Sequence, residues 1–481
     1  MSQVTSQPAR EPAPPGAVAR AGRYAAYIFW LMFIINFLNY LDRWIFTGLS
    51  DTIQRDLHLN EFEMGMLTSG FLLVYTIVAL PLGFLADKVA RKTIVGLGVA
   101  IWSLATAFTG LARNFTAMLI VRTFLGVGEG SYYPAGTPML AAYYPPSRRA
   151  TIIARWSVGA LIGAGAGFLV ATAFNSPDKW HYAFIFTGIP GLIFAFLIWR
   201  TREKTRHEDD PPAEHLLGEG SRSFLQRLAA YLRIPSFRVI VALHALGFFA
   251  LTGVTSWLVI YLSDTYGSVG SFYPKEGLSP GMVSFLAGAL ILLGGIIGNL
   301  VGGVWSNRLA RRHVGARVLT GGLGFLLAAP CVVAAVGAPM LLRQMAFFIG
   351  ASIQTQLTIG IAIFSIFALL AAFFLNIYNG PVSAALLDVV PAAERGSAGG
   401  TELTLAHLCG DVYAAVLIGA IAQALEGALG GRQIGLALLL TCPLALIASG
   451  IVGIWGSRFY ARDVAALGST ASEMLGTSAT E

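Results

Sequence analysis

The sequence predicts an all-α polytopic membrane protein, with twelve transmembrane helices in two pseudo-symmetric six-helix bundles and both termini cytoplasmic. Three observations carry that expectation. The 481 residues are 56% apolar and only 12% charged, with mean hydropathy +0.68, whereas soluble domains carry about 25% charge. Apolar stretches of the roughly 20 residues that a bilayer-spanning helix needs recur along the chain. Basic residues alternate from loop to loop, and one loop motif returns 220 residues later.

In chain order the spans are expected at 26–49, 63–86, 93–112, 116–143, 150–174 and 182–200, then at 238–263, 280–305, 315–337, 362–388, 399–425 and 433–457. Residues 1–23 are Pro- and Ala-rich, carry Arg10, Arg20 and Arg23, and lack the apolar core of a secretory signal. They are expected to be a disordered cytoplasmic tail. The N-terminal bundle then covers 24–200, a cytoplasmic linker 201–236, the C-terminal bundle 237–458 and a cytoplasmic tail 459–481. Within the linker, "SRSFLQRLAAYLRI" places Phe224, Leu225, Leu228 and Leu232 on one helical face and Arg222, Arg227 and Arg233 elsewhere. That pattern predicts an amphipathic helix lying on the inner leaflet. Residues 338–361 fit no span cleanly and are expected to form an interfacial helix.

Orientation follows from charge. The loops after spans two, four, six, eight and ten carry Lys88/Arg91/Lys92, Arg148/Arg149, the Arg200–Arg238 linker, Arg308/Arg311/Arg312 and Arg395. The first odd loop, "SDTIQRDLHLNEFE", is mostly acidic. Basic loops stay in the cytoplasm, so topology accounts for the net charge of +7 and the pI near 9.4, and nucleic acid drops out as a partner. Cys331, Cys409 and Cys442 lie in apolar runs without metal or redox spacing, and no metal or cofactor is expected. Without a Gly-x4-Gly-Lys-Ser/Thr loop, gradient-driven rather than ATP-driven work is expected.

The repeat reads "GFLADKVARK" at 83–92 and "GVWSNRLARR" at 303–312, each after the second span of its half. Such weak symmetry between halves is a transporter signature. The first copy resembles the loop motif of the major facilitator superfamily, Gly-x-Leu-Ala-Asp-x-x-Gly-Arg-Lys. A carboxylate there can pair with Arg91 or a neighbouring helix N-terminus. Asp87, Arg91 and Lys92, with Arg149, are therefore gating candidates. Ala90 replaces the usual Gly and Asn307 replaces the second acid, so the latch should be stronger on the first-half side.

Ionisable residues inside spans are costly and usually functional, at roughly 2.5–3.5 kcal/mol each on insertion scales. The first span holds Asn36, Asn39, Asp42 and Arg43, and "RTFLGVGEGSYYP" in the fourth holds Arg122 and Glu129 seven residues apart on nearly one face. Gly126, Gly128 and Gly130 allow close helix approach. Asp42 and Arg43 differ by about 100° around the helix, so they cannot face the same neighbour. All four charges are expected in one cluster of the first half. The bland alternatives are an ion pair that merely ties helices together and a Glu129 permanently paired to Arg122.

"NYLDR", "R…GVGEGSYYP" and, in the eleventh span, "AHLCGD" together resemble the spinster family of that superfamily, over residues 26–457. The resemblance implies a proton-linked secondary carrier of lysophospholipids or sphingosine-phosphate-like lipids, acting as a monomer by alternating access. The absence of trafficking signals leads to the expectation of a bacterial member in the inner membrane. Asp42, Glu129 and Arg122 are then the proton-coupling candidates, and Asn39, Arg43, Glu129, Tyr132, Trp257, Phe374 and Tyr378 the substrate-binding ones. The aromatic members can equally be helix packing. Further gating candidates are Asp388, Glu402, His407 and Asp411, the last two spaced to bond along one face. His244 reads as a satisfied core residue. "HLCGD" is one residue short of an acyltransferase His-x4-Asp and lacks a nucleophile, so no enzyme is expected. The competing expectation is a proton-coupled carrier of small organic anions such as sugar acids; a non-transporting receptor or scaffold would not need the intramembrane charges.

Overall fold

The computed structural model describes residues 15–202, 224–269, 273, 276–349, 352–391, 394–429 and 433–477. It is helical throughout. The first half comprises α1 (Pro15–Gly48), the short α2 (Ser50–Asp56), α3 (Glu61–Lys88), α4 (Arg91–Thr109), α5 (Phe115–Ala141), α6 (Pro146–Phe174) and α7 (Trp180–Trp199). After the linker helix α8 (Phe224–Arg233), the second half comprises α9 (Pro235–Tyr266), α10 (Pro280–Ala310), α11 (Ala316–Ile349), α12 (Ile353–Asn376), α13 (Asn379–Asp388), α14 (Arg395–Cys409), α15 (Asp411–Leu429) and α16 (Ile434–Thr477).

Eleven helical stretches among the described residues are long and apolar enough to cross a membrane. The twelfth is α5. Its 27 residues span about 40 Å at 1.5 Å per residue, but its Gly, Tyr and Pro content together with Arg122 and Glu129 lowers its hydropathy. Local chemistry starts these helices where the chain re-enters the apolar region. Asn60 and Glu63 form a reciprocal capping box on α3, Asn114 caps α5 by accepting from the Ala117 N–H at 2.9 Å, and Ser279 and Ser352 cap α10 and α12. Each satisfies backbone donors that a helix start leaves open.

Four expectations change. Helix α1 already begins at Pro15, so only 1–14 of the expected tail lie outside the described residues. At the other end, α16 runs on to Thr477 instead of ending at 457. Residues 338–361 are not a separate interfacial helix: α11 continues to Ile349 and α12 starts at Ile353. Spans ten and eleven are each interrupted, between Asn376 and Asn379 and at Gly410. The linker helix forms over Phe224–Arg233, with Tyr231 buried and its hydroxyl 2.7 Å from that of Ser397 in α14. Residues 203–223, with Arg222, lie outside the described residues, as do the side chains of Phe224 and Leu225.

The halves meet at the end opposite the basic loops. There Arg55 donates to Asp51 (2.9 Å) and across to Asp264 at the end of α9 (3.1 Å), and Ser263 donates to Asp51 (2.6 Å). Asn175 donates to Ser284 (2.7 Å) and to the Pro280 carbonyl (2.8 Å), while Ser284 donates to the Gly48 carbonyl (2.6 Å). Helix α2 thus lies as a bolt across the outer end of the interface.

Candidate functional site

The site grows out of the glycine-rich turns of α5. A Cβ at Gly126 would come 2.8 Å from the Phe71 carbonyl oxygen, one at Gly130 2.8 Å from the Tyr75 carbonyl oxygen, and one at Gly128 2.6 Å from the Trp102 nitrogen. No side chain fits in those gaps. Glycines on two faces therefore draw α5 against both α3 and α4, and the residue between them, Glu129, is carried into the bundle interior beside α1.

There Glu129 accepts from Arg43, at 3.1 Å from Nε and in a closer contact with the terminal nitrogen. The two side chains differ sharply in access: Arg43 is 27% exposed and Glu129 0%. The rings of Tyr40, Phe71 and Tyr75 stand 5.5, 5.2 and 5.2 Å from the guanidinium carbon, close enough for cation–π attraction. A buried carboxylate behind and three rings around hold one accessible cation in a fixed place.

As expected from their angular offset, Asp42 and Arg43 part company. Asp42 turns to the third and sixth spans, accepting from Thr106 at 3.1 Å with Thr187 also against it. Arg122 is not the partner of Glu129. It is 3% exposed, donates to the Leu67 carbonyl at 3.1 Å and lies 3.6 Å over the Phe46 ring. Among the buried polar atoms without a hydrogen-bond partner are Asn39 Nδ2, Asp42 Oδ1 and Glu129 Oε1. Buried polar groups are normally satisfied, so these atoms keep hydrogen-bonding capacity that a ligand or a proton could use. Tyr132 has no such freedom. Its hydroxyl donates to the Met32 carbonyl at 3.0 Å and its ring packs between Trp102 and Trp156. Asn36 likewise donates to the Trp156 carbonyl at 3.1 Å.

The second half holds one polar pair between spans seven and eleven and another at the interruption of span eleven. Glu402 meets Nδ1 of His244 at 2.6 Å, with both residues buried and His244 Nε2 unpartnered. The sequence reading of His244 as a satisfied core residue did not name this partner, which lies 158 positions away. His407 lies 2.9 Å from Asp411, the expected i, i+4 contact, now made across the interruption at Gly410. Asp411 opens α15, the helix end that favours a carboxylate, and His407 lies in the last turn of α14. A Cβ at Gly410 would run into the Ala245 carbonyl oxygen, so the interruption is also where the eleventh span touches the seventh. Phe248 lies between the two pairs, 5.1 Å from the His244 ring and 5.2 Å from the His407 ring. Tyr378, in the break of the tenth span, sets its edge 5.2 Å from His244. Irregular backbone at membrane depth is tolerated where it is buried in protein or lines a cavity, and in carriers it marks binding regions.

Of the remaining candidates, Trp257 is buried and ties span seven to span eleven through the Ala415 carbonyl (3.2 Å). Phe374 is partly buried in the second-half core. An apolar crevice of about 50 Å³ opens between spans seven to ten, lined by residues such as Leu251, Leu258, Val332 and Phe364. At the cytoplasmic end, Lys92 donates to the Thr201 carbonyl (2.8 Å) and Arg149 to the Tyr144 carbonyl (3.1 Å), both inside the first half. Arg91 opens α4 and is engaged in a polar contact. Asp388 accepts from Arg317 and Tyr460, inside the second half. The side chain of Asp87 lies outside the described residues. The outer contacts of Asp51, Arg55 and Asp264 were invisible in the sequence, where the first loop showed only its acidity.

Comparison with known proteins gives the arrangement a context. The family model of the Major Facilitator Superfamily matches residues 32–410. Protein spinster homolog 1 of Xenopus tropicalis is 26% identical over 448 residues, which cover 91% of this chain and 80% of that protein. Protein spinster of Drosophila melanogaster is 24% identical, over 85% of this chain and 64% of its own length. Among solved structures, a bacterial homologue of the human lysosomal transporter spinster, inward-facing and occupied, superposes with TM-score 0.69 at 21% identity, over 92% of this chain and 97% of its own.

Proposed function

The chain belongs to the major facilitator superfamily and is a multi-pass membrane transporter; from that premise we propose a proton-linked secondary carrier of an amphipathic anionic lipid, of lysophospholipid or sphingosine-phosphate type. Arg43 carries the proposal: an accessible guanidinium with a buried carboxylate at its back. An anionic head arriving at Arg43 competes with Glu129 for the same donors. A proton on Glu129 releases the guanidinium to the head, and loss of that proton reclaims it. Cargo and proton are linked through one cation. Asp42, on the other side of the same helical turn and with one uncommitted oxygen, is the second proton acceptor, and Asn39 offers its free amide to the head.

The second half receives the apolar part of the cargo, around Phe248, Phe374 and Tyr378. The neighbouring crevice between spans seven to ten, lined by residues such as Leu251 and Leu375, has room for one or two waters as it stands, so a chain enters only as the lining side chains shift. With the outer end bolted by α2, this is the inward-facing state. Asp87, Arg91, Lys92 and Arg149 would meet second-half partners, among them Asp388, only when the inner end closes. Small organic anions such as sugar acids fit less well: they call for two or more accessible guanidiniums in the cavity, and Arg122 is buried and committed to Leu67. The names of the relatives support a membrane carrier, and the inner membrane of a bacterium is the proposed location.

The test is uptake into liposomes of a fluorescent lysolipid and of a labelled sugar acid, each with and without a pH gradient. Gradient-stimulated lysolipid uptake that disappears in Arg43→Ala is the expected result. Uptake of the sugar acid alone overturns the lipid assignment, and undiminished gradient response in both Asp42→Asn and Glu129→Gln overturns the coupling.

A further inference from the structure

We infer that the cytoplasmic end of α10 is a binding site for the phosphate headgroup of an anionic inner-leaflet phospholipid, separate from the transport path. A groove of about 410 Å³ is bounded there by Trp305, Arg308, Leu309, Arg311 and Arg312. The three arginines are exposed, and among the described residues none of their guanidiniums makes a hydrogen bond, ion pair or ring contact. Three guanidiniums within five residues repel one another unless an anion joins them, and the planar fork of Arg suits phosphate oxygens.

Two further observations say that the anion comes from the membrane. At 100° per residue, Arg308 falls on the same side of α10 as Ile297, Leu300, Val301 and Val304, and Arg311 and Arg312 follow directly at its C-terminal end. Those four apolar side chains are 48%, 69%, 39% and 53% exposed, which in a spanning helix means contact with hydrocarbon. The stripe touched by acyl chains therefore ends in the cationic groove, with Trp305 at the junction, where an amphipathic ring favours the headgroup level. The pseudo-symmetric loop supplies the contrast. In the first half the corresponding segment carries Asp87 among its basic residues, and Lys92 is committed to the Thr201 carbonyl. In the second half Asn307 stands in place of the acid, so no carboxylate within the motif competes with a headgroup.

The experiment uses the full chain in nanodiscs of mixed phosphatidylcholine and phosphatidylglycerol, reading retained lipid by native mass spectrometry. Wild type is expected to retain phosphatidylglycerol selectively, with retention falling about fivefold for each guanidinium removed, as for basic groups held near an anionic surface. The triple variant R308Q/R311Q/R312Q should lose the selectivity. Should that variant fail to insert, the single substitutions R308Q, R311Q and R312Q decide by the same measure. Brominated phosphatidylglycerol should quench wild-type fluorescence more than that of Trp305→Phe. Equal retention of the two lipids by wild type, or unchanged selectivity in the variants, overturns the site. Displacement of the lipid by inorganic phosphate overturns its assignment to a membrane headgroup.

Discussion

Replacing Asp264 by Asn should unseal the outer end of the carrier without touching the transport site. Asp264 and Arg55 lie 3.1 Å apart, with side chains 18% and 27% exposed. Two unit charges at that distance attract by about 5 kcal/mol at an effective dielectric of 20 and by about 1.3 kcal/mol in water. Arg55 keeps Asp51 as a second acceptor, at 2.9 and 3.0 Å, so the loss lies near the lower figure, about 1–2 kcal/mol. That corresponds to a shift of about 5- to 30-fold in the ratio of sealed to unsealed molecules. Val283, buried at the outer start of α10, is a suitable reporter when changed to Cys in a background with Cys331, Cys409 and Cys442 replaced by Ala. Labelling by a membrane-impermeant maleimide should accelerate by that factor in Asp264→Asn. Arg55→Gln should accelerate it more, because both acids lose their cation, and the double variant should add little to Arg55→Gln alone. An unchanged rate in Asp264→Asn, or fully additive effects, would refute the bolt.

Other outcomes follow from the same contacts. Glu129→Gln leaves Arg43 without its carboxylate and should lower stability by about 2–3 kcal/mol, read as a drop in melting temperature, while flattening the pH dependence of uptake. Gly410→Ala drives a methyl group into the Ala245 carbonyl and should cost about 1–3 kcal/mol, whereas Gly399→Ala, with open space at its Cβ position, should be neutral in the same thermal assay. His244→Ala should destabilise by about 3 kcal/mol because it strands buried Glu402, and His244→Ala/Glu402→Leu should recover part of that loss. Unchanged melting in His244→Ala would show that the pair contributes nothing.

Much of the fold could be read from hydropathy because a membrane imposes one rule, about twenty apolar residues per crossing, on every span. Helix α5 is the instructive exception: its Gly, Pro and charged residues weaken the hydropathy signal, yet among them is Glu129, which meets Arg43 in the bundle interior. The sequence also showed that Asp42 and Arg43 diverge, since helical geometry requires it. It did not show that Glu129 pairs with Arg43 rather than Arg122, because an i, i+7 relation places two side chains on one face but says nothing of a neighbour 86 positions away. The interruptions at Tyr378 and Gly410 were hidden for another reason. A break of one or two residues changes neither mean hydropathy nor the length of an apolar run, and Gly410 is one of 55 glycines. What marks it is a backbone that leaves helical geometry, with φ −122° and ψ −98°, which shows only in the folded chain.

The two halves divide the labour unevenly. Acid–base residues of the first half sit on continuous helices that fix their spacing, whereas in the second half His407 and Asp411 straddle the joint at Gly410. Substitutions around that joint leave the Arg43–Glu129 pair of the first half untouched. A lineage with this architecture can therefore broaden or retune its diet by small changes on one side alone, and directed evolution toward new cargo should begin there.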